Sequence, residues 1–256
     1  MPPKKAPQRP LRIGTAGWSV ARDHAEHFPG DGSHLERYSQ VFRCVEINSS
    51  FHRSHRRSTW ERWAATTPAN FRFAVKMPKR ITHEAKLRNT GALLLDFMQE
   101  ISGLNAGAEP KLGPLLVQLP PKLVFDEGVV HEFLSTLREL HTGAVAVEPR
   151  HASWFTGEAD RLLREFEAAR VAADPAKASP LAAEPAGDVS LRYWRLHGSP
   201  RTYYSNYEDD FLSAFAQRLL ADRKRLPASD VWVIFDNTAL RHATANALQL
   251  QAATRT

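Results

Sequence analysis

Short runs of β-forming residues alternate with longer amphipathic stretches along the chain, and this alternation constrains the fold more than any other feature. Eight such runs are predicted to be strands, at residues 11–15, 44–48, 70–76, 114–119, 144–148, 170–174, 190–197 and 230–236. Between them, apolar residues recur every three or four positions, as in amphipathic helices. Eight strand–helix units in 256 residues predict an α/β fold: a single (β/α)8 TIM barrel, a parallel eight-stranded β-barrel with outer helices. A doubly wound open sheet is the alternative, but the chain lacks a glycine-rich dinucleotide loop.

The ends of the chain and of its helices carry further signals. Residues 1–10 are basic and proline-rich, which predicts a disordered tail, and no Gly/Ser linker divides residues 11–256, which predicts one domain. Two Ser-x-x-Glu capping boxes, Ser33 to Glu36 and Ser58 to Glu61, predict helix starts. The single cysteine, Cys44, excludes a disulfide framework. Because no apolar run approaches a membrane span and no secretory leader is present, we expect a soluble, cytoplasmic protein without membrane contact.

Side chains on a strand alternate between its two faces, which predicts what lies inside the sheet. In most of the predicted strands a small or apolar inward residue is followed, at the carboxyl end, by an inward polar one, as Ala74 is by Lys76 and Ala146 by Glu148. The polar residues at these strand ends are Glu46, Asn48, Lys76, Gln118, Glu148, Arg150, Asp174, Arg195, His197, Asp236 and Asn237. Since buried charges are costly unless paired, their confinement to one end indicates a functional site there, although an ion-pair ring would explain the pairing.

Seven sequence motifs, distributed over nearly the whole chain after the tail, resemble those of one known family. They are GTAGWS (14–19), VEINSSFHR (45–53), FAVKMPKRITH (73–83), LLVQLPP (115–121), VEPRHASW (147–154), LHGSP (196–200) and FDNTALRHATANA (235–247). Their order and spacing are similar to those of the YecE-like proteins, domain of unknown function seventy-two. The resemblance implies a (β/α)8 barrel with no assigned activity. The chain departs from the family pattern at His52, Pro149 and Asp236, where the family usually has tyrosine, an aromatic residue and asparagine.

Four of the strand-end residues are candidate catalytic groups: Glu46, Glu148, His197 and Lys76. Glu46 and Glu148 are predicted to form an acid/base pair, since two carboxylates in different environments divide those roles. His197 is a candidate base beside Gly198, although a hydrogen-bonded structural histidine is an alternative. Lys76 would bind an anion or form a Schiff base. With two glutamates expected nearby, its pKa is expected to stay high, which favours anion binding or charge balance.

The remaining candidates are predicted to bind substrate. They are Trp18, Asn48, Gln118, Arg150, His151, Trp154, Arg195, Asp236 and Asn237. The planar forks of Arg150 and Arg195 suit carboxylate or phosphate, and the two tryptophans would wall the pocket by stacking. The leading hypothesis is therefore an enzyme (a hydrolase, lyase or isomerase) acting on a small anionic substrate that bears a sugar or phosphate, without a metal or cofactor.

Two other functions remain open from the sequence. Residues 52–90 hold ten Lys/Arg and two Glu, a net charge of +8, which suits nucleic-acid binding or a nuclease. Glu148, Asp174, His197 and Asp236 end successive strands and resemble, in residue type and order, the metal site of sugar isomerases and epimerases. Arg150 and Arg195 nearby would repel a cation, which disfavours the metal site.

Overall fold

Ten strands form the framework of a computed structural model that describes residues 9–255. They are β1 (Leu11–Thr15), β2 (Cys44–Ile47), β3 (Arg72–Lys76), β4 (Leu112–Gln118), β5 (Val145–Glu148), β6 (Ala168–Arg170), β7 (Ala172–Asp174), β8 (Ala186–Gly187), β9 (Leu191–Leu196) and β10 (Asp230–Phe235). Seven of the eight predicted strands are confirmed with ends displaced by at most two residues. Only the predicted strand at 170–174 is divided in two.

Helices connect most of these strands. The α-helices are α1 (His34–Val41), α2 (Ser49–His52), α3 (Arg57–Ala65), α4 (Gly91–Ile101), α5 (Glu127–Leu140), α6 (Gly157–Glu165), α7 (Asp209–Arg225) and α8 (His242–Ala253). Short 3₁₀ turns cover Arg22–His27, Ser102–Asn105, Ala152–Trp154 and Pro180–Ala183, and a π turn covers Arg80–Glu84. None of the helices within residues 9–255 combines the length and apolarity that a bilayer crossing requires.

The strands belong to two sheets, so the prediction of a closed eight-stranded parallel barrel is wrong. One sheet has the order β1-β10-β9-β7 and the other β2-β3-β4-β5-β6-β8. All pairs are parallel except β6 with β8, which is antiparallel. Between β1 and β2 there is a single parallel bridge, Ala16 to Glu46, beyond the end of β1. Over the described part of the chain, no continuous ladder joins the two sheets.

The two sheets are separated at two places, between β1 and β2 and between β6 and β7. The separation between β6 and β7 arises because the sixth predicted strand is divided at Val171. Ala168–Arg170 pairs with β5, whereas Ala172–Asp174 pairs with β9 in the other sheet. Strands of three residues each satisfy few backbone groups, and the first of them pairs with Ala186–Gly187 as well. Residue periodicity alone does not reveal such a change of partner, because both halves are still extended.

The interior contains two separate apolar clusters, as the predicted alternation of faces requires. The smaller, central cluster contains Cys44, Ala74, Leu116, Ala146, Ala169, Val171, Leu191, Tyr193, Trp232 and Ile234. The larger outer cluster joins the opposite strand faces, such as Val45 and Val147, to the helices. For the sixth predicted strand, alternation predicts that Ala172 and then Asp174 face inward. The prediction for Ala172 is wrong, because Val171 belongs to the central cluster and Ala172 to the outer one.

Local signals at the helix ends and the amino terminus give mixed outcomes. The capping box from Ser33 to Glu36 is confirmed at the start of α1. The second predicted box is wrong, because α3 begins at Arg57 and its Glu61 pairs with Arg57 at 3.0 Å instead. Of the predicted tail, residues 1–8 lie outside the described residues, and the amide of Arg9 donates to the carbonyl of Pro227 at 3.1 Å.

We predict that Gly14→Ala destabilises the fold, since β1 lies close against β2 at this residue. A Cβ at position 14 would stand 2.4 Å from the carbonyl oxygen of Cys44. This oxygen belongs to the backbone of β2, so relieving the clash would require a displacement of the strand, which costs free energy. Overpacking of this kind costs about 1–3 kcal/mol in unfolding free energy, measured by urea denaturation. The matched control is Gly157→Ala, where a Cβ would meet nothing within 4 Å. Equal denaturation midpoints for the two variants would contradict this close approach.

Candidate active site

The guanidinium of Arg195 lies at the centre of a buried polar cluster that connects the two sheets. Its Nη2 donates to Glu46 Oε1 at 2.7 Å and to Asp236 Oδ2 at 2.9 Å, and its Nε donates to Glu46 Oε2 at 3.0 Å. Its Nη1 donates to Glu148 Oε2 at 2.7 Å. Arg195 and Glu46 are both 0% exposed. The site residues predicted on four different strands are therefore brought together by one planar fork of donors.

His197 completes the cluster between two carboxylates. Its Nε2 lies 3.0 Å from Glu148 Oε1 and its Nδ1 lies 3.0 Å from Asp236 Oδ2. Because carboxylates only accept, both ring nitrogens must carry protons to make both contacts, so the imidazolium fits this position. Burial lowers the pKa of His197, but Glu148 and the hydrogen bonds to both carboxylates outweigh burial and raise it above the ordinary value.

The two carboxylates beside His197, Glu148 and Asp236, stay ionised because positively charged groups surround them. Burial would raise the pKa of Glu148, yet Arg195, His197 and Arg150 hold it well below the ordinary value. Burial would also raise the pKa of Asp236, but the charges of Arg195 and His197 and the hydrogen bond to His197 outweigh burial and lower it. With His197 protonated, the charges of Glu46, Glu148 and Asp236 are balanced by those of Arg150, Arg195 and His197.

A cavity of about 410 Å³ opens beside this cluster. Glu148, Arg150 and His197 line it, and Arg150 reaches Glu148 Oε1 with its Nη2 at 3.2 Å while about 29% of its side chain stays exposed. Lys177 and Tyr203 also line it. A cavity of this size is large enough for a small metabolite.

Lys76 ends β3 near this cluster but is not bonded to it. Its Nζ lies 4.2 Å from the ring centroid of Phe51, and among residues 9–255 it has no hydrogen-bond partner within 3.5 Å and no carboxylate within 4.0 Å. The prediction that its pKa stays high is wrong. Burial and the nearby charge of Arg195 lower the pKa of Lys76 to about 8, because the attraction of Glu46, Glu148 and Asp236 does not compensate.

Three predicted substrate-binding residues lie away from the cavity. Trp18 packs edge-on against Trp63 at 5.0 Å between ring centroids. Trp154 is buried, and its Nε1 donates to the carbonyl of Leu123 at 2.9 Å. His151 caps a 3₁₀ turn, where its Nδ1 accepts from the amide of Ser153 at 3.2 Å. Their positions after strand ends are confirmed, but the contacts described for them are structural ones.

The predicted amide residues divide between the site and its surroundings. Gln118 belongs to the cluster, since its Nε2 donates to Glu148 Oε2 at 2.9 Å. Asn237 is fully buried, and its Nδ2 donates to Asn246 Oδ1 at 2.9 Å and to the carbonyl of Ser205. Asn48 precedes α2, where its side chain makes no capping hydrogen bond.

Sequence reasoning missed three residues of the site. The hydroxyl of Tyr193 donates to Glu46 Oε2 at 2.8 Å, and burial together with Glu46 raises its pKa well above the ordinary value. Strand alternation could have found it, because Tyr193 stands two residues before Arg195. Tyr203 and Lys177 come from loops, for which periodicity gives no signal. The ring of Tyr203 lies edge-on to His197 at 5.9 Å.

The four residues of the metal hypothesis are not assembled around one point. Asp174 accepts a hydrogen bond from the hydroxyl of Tyr207 at 2.7 Å, whereas Glu148 and Asp236 are both bonded to Arg195. Among residues 9–255, no group of three or more His, Cys, Asp and Glu side chains has the arrangement of a metal site.

The motifs that build this cluster match those of known proteins. The sequence profile described as "Protein of unknown function DUF72" matches residues 12–256. The chain belongs to the DUF72 family. This confirms the resemblance to YecE-like proteins noted from the sequence, and the family carries no assigned activity.

Two curated relatives of this DUF72 chain show how far the similarity extends. The UPF0759 protein YecE of Escherichia coli K12 is 33% identical over 156 residues, which are 60% of this chain and 53% of that protein. The UPF0759 protein YunF of Bacillus subtilis 168 is 26% identical over 155 residues, 57% of this chain and 52% of that protein. The match thus spans about half the length of both relatives.

Solved structures of the family share the fold. A DUF72 family protein of Enterococcus faecalis V583 superposes with a TM-score of 0.80 at 20% identity and covers 96% of both chains. A DUF72 family protein of Thermotoga maritima MSB8 superposes with a TM-score of 0.74 at 23% identity, covering 96% of this chain and 99% of that one.

We predict that stability falls as the pH rises through the folded-state pKa of His197. The raised pKa means that the folded state binds more protons than the unfolded one. The resulting stabilisation is complete below the unfolded pKa of about 6.5 and is lost above it, at up to about 1.4 kcal/mol per pH unit. Denaturation measured between pH 6 and 8 gives this slope. The range ends at pH 8 because the pKa of Lys76 is lowered to about 8, so Lys76 also contributes to the pH dependence of stability above that value.

Above about pH 7, where the histidines with lowered pKa values (His55, His83 and His141) contribute little, the fall in stability with rising pH should be lost in His197→Gln and persist in His151→Gln. His151 is a matched control because it lies outside the cluster, with Ser153 as its side-chain hydrogen-bond partner. A wild-type slope retained in His197→Gln would show that His197 does not hold the extra proton.

Proposed function

We propose that this chain is an enzyme acting on a small anionic substrate, one that bears a sugar or phosphate group, in the cavity at the carboxyl ends of the strands. The observation that carries the proposal is the shared lining of this cavity: Glu148, His197 and Arg150 all line it, and His197 and Arg150 are each hydrogen-bonded to Glu148. Such a set combines proton transfer with anion binding in one place.

The roles within the site follow from exposure and contact. Glu148 and His197 share a hydrogen bond at 3.0 Å and face the cavity, so they are the pair suited to proton transfer. Glu46 has no exposed surface and both its oxygens accept from Arg195. We therefore assign Glu46 to the positioning of Arg195, instead of the acid/base role that the sequence suggested.

Arg150 and Lys177 are the proposed contacts for the anionic group. About 29% of the Arg150 side chain is exposed beside Glu148, and the Nζ of Lys177, which also lines the cavity, donates to Thr202 Oγ1 at 2.6 Å. Arginine in this position suits a carboxylate or phosphate held by two parallel hydrogen bonds.

We predict that small anions stabilise the wild-type protein and that Arg150→Met loses this stabilisation. Thermal unfolding with millimolar phosphate, citrate or glucose 6-phosphate measures it. A ligand at about 100 times its Kd adds about 2.7 kcal/mol. The matched control is Arg161→Met, which removes an exposed arginine on α6 that is paired with Glu127. Equal losses in both variants, or no stabilisation of the wild type, would contradict the proposed anion site.

Turnover tests the acid/base assignment separately. Proton NMR of sugar phosphates and hydroxy acids incubated with the protein detects the substrate that is converted. Glu148→Gln should lower that rate by about 10²–10⁴-fold while anion stabilisation remains. Glu61→Gln, an exposed carboxylate on α3, should leave the rate unchanged. Full activity of Glu148→Gln would refute the assignment.

Nucleic-acid binding has one observation in its favour. A surface cavity of about 820 Å³ is lined by Arg56, Arg57 and Arg80 from the basic stretch, but also by Asp96 and Glu100. The tryptophans that would stack on bases are absent from this lining, since Trp60 is buried and Trp63 packs against the outer cluster. Titration of labelled single-stranded DNA across a salt series tests this second candidate, for which affinity must fall with added salt.

A further inference from the structure

A second cavity, of about 720 Å³, lies where the carboxyl end of β1 meets the start of α8. Thr15, the last residue of β1, lines it, and so does Thr244 in the first turn of α8. It shares no lining residue with the 410 Å³ cavity in which substrate binding is proposed. Its size falls within the range of about 300–1,000 Å³ that small-molecule sites occupy. The cavity is therefore a separate candidate binding site.

The lining of this second cavity is positively charged. Arg22 contributes to it from the 3₁₀ turn Arg22–His27, and Arg241 contributes as the residue before α8. Among residues 9–255, neither guanidinium has a carboxylate within 4.0 Å or a hydrogen-bond partner within 3.5 Å, and no Asp or Glu lines the cavity. Two cations without counter-ions at one cavity favour an anionic ligand.

The hydroxyl of Thr244 points to a ligand independently of these charges. Thr244 lines the cavity and is only 9% exposed. Among residues 9–255 its hydroxyl has no hydrogen-bond partner, although a polar group buried to this extent is normally hydrogen-bonded. A hydroxyl can donate to an anionic oxygen, so a ligand in the cavity would satisfy it. Ser19 and Thr238 add two more hydroxyls to the lining.

The amino terminus of α8 adds its own preference for negative charge. This helix has 12 residues, and no side chain caps its first turn. The N–H groups and the dipole at such a helix start favour an anion. The space beside the β1 end of the cavity is also open, since a Cβ added at Gly17 would meet nothing within 4 Å.

The residues of the lining indicate which anion fits. Of those within the described part of the chain, none is aromatic, so charge and hydroxyl groups, and not ring stacking, would select the ligand. Phosphate oxygens accept from both guanidinium and hydroxyl groups. A diphosphate offers one phosphate to each of Arg22 and Arg241, whereas a single phosphate must divide its oxygens between them. We propose that this cavity binds the diphosphate group of a small molecule, at a site distinct from the Arg150 cavity.

Isothermal titration calorimetry of the full-length protein with sodium pyrophosphate tests this site. Arg150→Met serves as the background, so that the proposed substrate cavity does not contribute. In that background Arg22→Gln and Arg241→Gln should each raise the Kd at least about tenfold, since each removes a charge-assisted contact. The matched control is Arg164→Gln, which removes an exposed arginine of α6 outside this lining and should leave the Kd unchanged. Absence of pyrophosphate binding, or equal Kd values in all variants, would overturn the inference.

The same titration tests the hydroxyl and the second phosphate separately. Thr244→Val removes the hydroxyl but keeps the branched shape, and should raise the Kd about three- to tenfold, whereas Thr244→Ser should keep the affinity. Inorganic phosphate should bind at least about tenfold more weakly than pyrophosphate, and equal affinities would refute the diphosphate assignment. ADP carries the same group on an organic molecule. Affinity for ADP at least equal to that for pyrophosphate would assign the site to organic diphosphates, and lower affinity would assign it to pyrophosphate itself.

Chemical footprinting locates the site without any substitution. Phenylglyoxal modifies accessible arginines, and peptide mass spectrometry measures the rate at each one. Pyrophosphate at about ten times its Kd should slow modification of Arg22 and Arg241 about tenfold and leave Arg164 unaffected. Protection of Arg150 in place of Arg22 and Arg241 would locate the diphosphate in the other cavity. That result would overturn this inference while leaving the proposed function intact.

Discussion

The buried guanidinium of Arg195 is the interaction on which the rest of the site depends. Arg195 stands on β9 of the four-stranded sheet, whereas Glu46 and Glu148 stand on β2 and β5 of the six-stranded sheet. Its ion pairs therefore connect two sheets between which, among residues 9–255, no continuous strand pairing exists and one isolated backbone bridge, Ala16 to Glu46, is found. Arg195 donates four hydrogen bonds from three nitrogens, whereas a lysine ammonium has three donors on one nitrogen, so lysine could not reproduce these contacts.

Such a cluster is better explained by chemistry than by stability. Desolvating three carboxylates and their partners costs several kcal/mol for each ion, and apolar replacements of similar volume often match or exceed the stability of buried ion pairs. The cluster nevertheless extends to a cavity at Glu148 and His197, where ionised groups held in fixed positions can act on a bound molecule.

The sequence predicted most of the strands and much of this site, because strand periodicity and polar strand ends are local signals. Together they are enough to group Glu46, Glu148, Arg195, His197 and Asp236 at one end of the strands. The change of sheet at Val171 depends on pairing partners, which no local pattern records. The lowered pKa of Lys76 comes from its burial and from the nearby charge of Arg195, and both depend on tertiary structure. Trp18 and Trp154 followed strand ends as expected, yet packing with neighbouring loops and helices decided where their rings lie.

The division of the sixth strand also determines how many negative charges the buried cluster around Arg195 contains. Had the strand continued in phase, Asp174 would have pointed inward beside Glu148 and Asp236, adding a fourth carboxylate to a cluster whose three negative charges are already matched. The break turns Asp174 toward the hydroxyl of Tyr207 instead. A one-residue insertion or deletion near Val171 would therefore alter the charge of the site as well as its shape, so backbone length in this segment is constrained by electrostatics.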